Sequence, residues 1–182
     1  FMRLMHLAAD TIDDLLHDVF EALHQSGKPA EATKGRFVEL IGVSLQLRDP
    51  RSRISRSEAK GRPFSSIGEL FWYLSGENDL SFIEYFLKAY QESAEKDGLI
   101  HGGYGPRLFP KNGPSQIDQV IDRIERKPST RQAVIQLFDK SDIRVGSNYK
   151  DIPCTCTIQY ICRDERLSCI VSMRSNDAFK GL

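Results

Sequence analysis

The 182-residue chain has no apolar run near the ~18 residues that a membrane-spanning helix needs, so no membrane is expected as a partner. Charge of one sign is missing too: 25 Lys and Arg face 25 Asp and Glu. That balance excludes a general polyanion-binding surface, and with it bulk nucleic acid, but leaves room for a local arginine cluster around a small phosphate ester. Cysteine is scarce and confined to the last part of the chain, at Cys154, Cys156, Cys162 and Cys169. Such a cluster makes no secreted disulfide framework, so a reducing cytoplasm is the expected setting. The opening Phe1-Met2-Arg3-Leu4-Met5 has neither the apolar core nor the cleavage site of a signal peptide. Internal repeats, low-complexity tracts and linkers are absent, and residues 1–182 are expected to form one domain with a genuine core.

What is present alternates helical and strand-like patterns, which points to an α+β fold. Asp10-Thr11 opens a helix carrying Ile12, Leu15, Leu16, Val19, Phe20 and Leu23, closed by Gly27 and Pro29. Residues 37–47 read as one strand, followed by a loop with Arg48, Arg51, Arg53 and Arg56 that could receive a phosphate. Residues 66–74 form a second helix whose apolar face is Ile67, Leu70, Phe71 and Leu74, and a further helix is expected over 80–94. Residues 98–113 read as a glycine-rich loop, 115–126 as a helix and 133–138 as a strand. Residues 157–162 and 167–171 alternate around the polar turn Arg163-Asp164-Glu165-Arg166, a hairpin pattern.

Reactive groups are few. Cys154-Thr155-Cys156 could be half of a metal site, but two further ligands at suitable spacing are missing, and no metal is expected. His6, His17 and His24 read as surface groups, which leaves His101 as the plausible histidine partner of a reactive cysteine. Cys154 stands out by context, because Arg174 follows one hairpin later and a guanidinium beside a thiol favours nucleophilic sulfur. Glu69 lies inside the second apolar helix, where a carboxylate is ordinarily solvated but, if buried, can move protons.

Pro153-Cys154, Gln159, Leu167-Ser168 and Arg174-Ser175-x-Asp177-x-x-x-Gly181-Leu182 together resemble thymidylate synthases and their nucleotide hydroxymethylase relatives. Glu69-Leu70-Phe71-Trp72-Tyr73-Leu74-Ser75-Gly76 is similar to that family's Glu-Leu-x-Trp-aromatic-Leu-x-Gly helix. Gly103-Tyr104-Gly105 resembles its tyrosine loop and Pro128-Ser129-Thr130-Arg131 its arginine loop. The resemblance implies a thymidylate synthase-like mixed sheet packed with helices, a homodimer, and a further C-terminal part of the family domain beyond Leu182.

It also implies roles. Cys154 would add to C6 of a pyrimidine nucleoside monophosphate, and 5,10-methylenetetrahydrofolate, a reduced folate, would donate the one-carbon unit to C5. Glu69 would manage protons through water, and Tyr104 would help position the group that removes the C5 proton. Arg174 and Ser175 would bind the nucleotide phosphate, Arg131 would reach the phosphate in the other subunit, and Asp177 would face the folate. Conversion of dUMP to dTMP is the leading expectation. The alternatives are a dCMP, CMP or dUMP hydroxymethylase with the same donor, or a non-catalytic nucleotide-binding relative. Thr155 stands where thymidylate synthases usually carry histidine, and Tyr90-Gln91-Glu92-Ser93 where the family often has two tryptophans. Arg131-Gln132 replaces a common arginine pair, and Arg36, Arg53 or Arg56 would have to serve as the early phosphate-loop arginine.

Overall fold

A computed structural model describes residues 4–32, 35–56, 63–146, 148–179 and 181. Phe1 to Arg3 and Leu182, the last residue of the Arg174 motif, lie outside the described residues. The chain packs as two compact units, residues 1–63 with 176–182, and residues 64–175.

In the first unit, β1 (Met5–Ala9) leads into α1 (Ile12–Ser26), followed by β2 (Lys28–Ala32), β3 (Gly35–Glu39) and β4 (Val43–Leu47). Helix α1 starts where the residues place it: the Thr11 side chain accepts the Asp14 N–H, and Asp13 and Asp14 put negative charge at the helix N-terminus. Ile12, Leu15 and Leu16 then bury against Ala9, Leu7, Leu45 and Leu47. His6, His17 and His24 are exposed, as expected.

The expected strand over 37–47 is two strands. The chain turns at Ile41-Gly42, so β3 pairs antiparallel with β2 whereas β4 pairs parallel with β1, Met5 opposite Val43 and Ala9 opposite Leu47. Strands β1 and β2 have no counterpart in the sequence reading. Met5-His6-Leu7-Ala8-Ala9 carries no β-branched residue, and Pro29 in β2 reads as a helix stop; pairing partners distant in sequence make them strands.

The second unit contains α2 (Pro63–Leu74), α3 (Leu80–Ile83), α4 (Gly105–Leu108) and α5 (Gln116–Arg126), with β5 (Val134–Gln136), β6 (Thr155–Arg163) and β7 (Arg166–Met173) in a sheet of order β5-β6-β7. Both pairings are antiparallel. The β6–β7 hairpin is the one expected, turning at Asp164 and Glu165, both with positive φ as a two-residue hairpin turn of primed type demands. Parallel and antiparallel pairings thus coexist with helices in an α+β fold, spread, among the described residues, over three small sheets.

Two buried clusters hold this unit. Leu108, Val120, Ala133, Ile135 and Leu137 pack under the sheet, while Trp72, Ile83, Ala94 and Ile100 pack around α2; Tyr73 touches both. The face expected to be buried on α2 is not: Ile67, Leu70, Phe71 and Leu74 are each about half exposed, at 49, 51, 56 and 48%. Helix α2 instead buries Gly68 and Trp72. Any side chain at Gly68 would overlap the Phe86 ring, so glycine there lets an aromatic segment press against the helix. That same segment ends the helix expected over 80–94. It runs for only four residues, then turns so that Phe86 meets Phe64 at 5.1 Å and Tyr85 at 5.0 Å, before a 3₁₀ turn at Lys88–Glu92. Among the described residues, no helix is long and apolar enough to cross a membrane.

Ile83, wholly buried beside Trp72, carries the packing of this cluster. Ile83→Ala should lower unfolding free energy by about 2–5 kcal/mol and Ile83→Val by about 0.5–1.5 kcal/mol, measured by urea titration.

Candidate active site

Strand register brings Cys154 and Arg174 together. In the β6–β7 hairpin Tyr160 faces Cys169 and Thr157 faces Ser172. Continued unchanged, that pairing would set Cys154 opposite Ser175. A bulge between Thr155 and Thr157 slips the register by one, Thr155 faces Met173, and the Arg174 N–H donates to the Cys154 carbonyl at 3.0 Å. The guanidinium then folds over the residues before the cysteine. Its Nε donates to the Pro153 carbonyl at 2.9 Å, and its Nη2 donates to the Ile152 carbonyl at 2.9 Å and to Cys154 Sγ at 3.5 Å. Positive charge therefore lies against a half-buried sulfur at the head of a strand, while the Nε–Nη2 edge braces the backbone that carries it.

Tyr104 joins the same strand head from the other side. Its hydroxyl donates to Thr155 Oγ1 at 3.0 Å and accepts the Thr155 N–H at 3.2 Å. Its ring stacks on Tyr73, centroids 4.9 Å apart. Tyr73, one helical turn after Glu69 on α2, donates its hydroxyl to Glu69 Oε1 at 2.9 Å, and Tyr90 donates to that same oxygen. Glu69 is half-buried rather than on the solvated face. Burial, with the neighbouring phenol and the Glu69 charge, pushes Tyr73 far above the ordinary phenol value, and burial with Glu69 does the same to Tyr90. Both therefore remain protonated donors.

The structure thus links Cys154, Arg174, Tyr104 and Glu69. Among the described residues of this unit, Arg131 and Ser175 do not join that set. Both are exposed, and among the described residues neither hydrogen-bonds to Cys154, Tyr104 or Glu69. The Arg131 carbonyl accepts from Gln159 Nε2 at 2.9 Å. Asp177 belongs to the first unit, where its Oδ1 accepts the Phe179 N–H at 2.8 Å. The arginine-rich loop of that unit is organised by local carboxylates: Arg48 meets Asp10 at 2.6 Å, Arg56 meets Asp13 at 3.7 Å, and Arg53 donates to the Pro50 carbonyl at 3.0 Å.

His101 does not partner Cys154. Its Nε2 lies 2.8 Å from Oδ1 of Asp142, a wholly buried carboxylate that also receives both Arg107 terminal nitrogens, at 2.9 and 2.7 Å. The His101 ring stacks on Tyr149 at 3.4 Å, and Lys150 is tied to the Ala94 carbonyl at 2.5 Å. A side chain at Gly102 would overlap the Asp151 carboxylate. The approach to Cys154 is thereby fixed along residues 149–153. Among the residues that the structure adds to those expected, Thr155 and Tyr90 carry a signal as departures from the family pattern, Tyr73 as the aromatic of the Glu69–Gly76 motif, and Asp142 as part of the Asp139-x-x-Asp142 capping box.

Burial acts to raise the Asp142 carboxyl and is the largest single influence, but the Arg107 fork, the Asp139 N–H and His101 together hold it below the ordinary 3.8. A depressed carboxyl contributes stability above its unfolded value, lost as pH falls through the folded one. Asp142→Ala should cost about 3–5 kcal/mol in urea unfolding at neutral pH, because Arg107 is left buried without its partner. Asp142→Asn should flatten the acid limb of the stability curve between about pH 5 and 2.

Comparison with known proteins adds to this geometry. The thymidylate synthase family profile matches residues 56–182, well over half of the chain. Deoxyuridylate hydroxymethyltransferase of Delftia phage PhiW-14 is 28% identical over 167 residues, covering 86% of this chain and 46% of the relative. The enzyme of that name from Bacillus phage SP01 is 25% identical over 178 residues, covering 92% and 46%, and that from Pseudomonas phage M6 is 30% identical over 141 residues, covering 76% and 40%. The chain therefore spans somewhat less than half the length of these curated relatives. Thermostable thymidylate synthase A from Bacillus subtilis superposes with a TM-score of 0.63 at 15% identity, covering 93% of this chain and 66% of that one, a likeness of fold. With its profile match running through the Cys154–Arg174 hairpin, the chain belongs to the thymidylate synthase family.

Proposed function

We propose that the full-length protein is a one-carbon transferase that hydroxymethylates dUMP at C5, with Cys154 as nucleophile. The observation that carries the chemistry is the Cys154 sulfur 3.5 Å from the Arg174 guanidinium, at a strand head shared with Tyr104. The choice of hydroxymethylation over the methylation first expected rests on two supports. Three relatives carry the name deoxyuridylate hydroxymethyltransferase. The residue after the nucleophile is Thr155, whose side-chain hydroxyl accepts from Tyr104 at the position where histidine is the thymidylate synthase habit.

In this reading Cys154 Sγ bonds to C6 of the uracil, and the electron pair released to C5 makes that carbon the nucleophile. Methylenetetrahydrofolate supplies the carbon at the formaldehyde oxidation level. Asp177 is carried into this reading by the family motif alone, as a carboxylate able to accept from the N–H groups of a pterin. Glu69 moves the C5 proton through water, with Tyr104 fixing the geometry at the strand head. C5 bonds to the donated carbon; loss of the C5 proton and cleavage of the carbon–nitrogen bond then release tetrahydrofolate and leave an exocyclic methylene on C5. Water adds its oxygen to this methylene as the C6–sulfur bond breaks, giving up one proton to solvent, with no net oxidation. Arg174 and Ser175 contact the 5′-phosphate. Exposed Arg131 reaches the phosphate of the partner subunit in a homodimer.

With dUMP and methylenetetrahydrofolate, the full-length protein should yield a nucleotide heavier by one CH₂O unit together with tetrahydrofolate, read by mass spectrometry and folate absorbance. Cys154→Ser should fold and form no product. A methylated nucleotide with dihydrofolate would instead establish thymidylate synthesis, activity on dCMP alone would reassign the base, and no product with either base would indicate a nucleotide-binding role.

A further inference from the structure

Glu69 is the proton-moving group of the proposed reaction, and a carboxylate with three rotatable side-chain bonds has no fixed direction unless something holds it. Here two phenols converge on one of its oxygens. Tyr73 and Tyr90 both donate to Oε1, and their hydroxyl oxygens lie 3.4 Å apart. Neither ring is free to turn away. Tyr73 is stacked on Tyr104, and Tyr90 meets the wholly buried Trp72 edge-on with centroids 5.1 Å apart. The two donors come from different elements, one from α2 and one from the 3₁₀ turn at Lys88–Glu92, so they define a direction for Glu69 that neither element sets alone.

We propose that Tyr90 and Tyr73 are positioning residues for the proton transfer: by holding Oε1 they leave Oε2 as the oxygen that exchanges a proton, through water, with the pyrimidine. The inference rests on the assignment of Glu69 made above and adds two residues that hold it. Occupying Oε1 with two donors removes it as a competing acceptor for the water. The carboxylate then presents one oxygen in one orientation, which is preorganisation rather than added binding energy. The effect should fall on turnover, not on nucleotide affinity. Burial keeps both phenols protonated, so they hold the carboxylate without exchanging protons with it.

The test is a double-mutant cycle in the full-length protein, with loss of deuterium from [5-²H]dUMP and product formation as readouts. Tyr90→Phe keeps the ring against Trp72 and removes one hydroxyl. It should lower kcat for both readouts about tenfold, the effect of one lost hydrogen bond to a charged group, with the KM for dUMP changed less than about twofold. In a Glu69→Gln background the same substitution should cost nothing more, because its only route to the chemistry is gone. Tyr73→Phe runs the same cycle independently and serves if the first variant misfolds by near-ultraviolet circular dichroism. An equal loss in both backgrounds would make Tyr90 a merely structural residue, and no loss in the native background would remove the role outright; either result overturns the proposal. Full turnover by Glu69→Gln itself would instead overturn the Glu69 assignment, and the positioning role would fall with it.

Discussion

The register of one hairpin governs everything chemical in this chain. A strand pair alternates faces with strict period two, so a one-residue slip exchanges every neighbour. The bulge after Thr155 makes that slip at the last moment, after the alternating pairs from Thr157 to Arg163 have been satisfied. Cys154 and Arg174 meet for this reason, and not because twenty residues is a privileged spacing. The tight turn at Asp164-Glu165 sets the count at one end and the bulge corrects it at the other. An insertion anywhere between them would separate the thiol from its cation while leaving both residues intact.

From that strand head the polar groups form a continuous path through aromatic rings. Thr155 meets Tyr104, Tyr104 stacks on Tyr73, and Tyr73 meets Glu69. Tyr73 is also the residue shared by the two buried clusters of its unit. Tyrosine suits this duty because its ring adds to the apolar packing while its hydroxyl satisfies a polar partner inside it. The site and the core are therefore one construction at this point. A carboxylate placed among apolar side chains is tolerated because two phenols solvate it, and the Arg107–Asp142 pair meets the same requirement with a bidentate fork.

Local pattern made much of this legible. The start of α1, the extent of α5, and the hairpin with its turn could be read from neighbours in the chain, Cys154 and Arg174 stood out by their context, and Glu69 and Tyr104 entered through the family resemblance. What escaped depends on partners far away in sequence. Strand β1 has nothing in its own five residues to declare a strand; its parallel partner begins at Val43. The apolar face read on α2 failed because Gly68, by helix propensity the weakest residue in the interior of that helix, admits the Phe86 ring and so decides which side is buried. Tyr90 could be seen only as a departure from a family pattern, since its contact with Glu69 crosses 21 positions. His101 looked like a partner for the thiol by elimination, whereas Asp142, buried and already paired with Arg107, is the stronger attraction.

Arg174 is scaffold in the structure, and in the proposed reaction the same side chain would serve the chemistry. Its Nε–Nη2 edge, the face that would grip a phosphate in fork geometry, is turned onto the Ile152 and Pro153 carbonyls and the Cys154 sulfur. In the proposed complex the phosphate is therefore met by Nη1, a single-nitrogen contact with less directional demand than a fork, and the neighbouring exposed Ser175 hydroxyl is the adjacent group able to complete it. Under the proposed function, phosphate binding would draw on the same guanidinium that braces the residues around Cys154. A nucleotide engaging Nη1 would meet a side chain already held through Nε and Nη2 against residues 152–154, so substrate binding and support of the thiol would share one group.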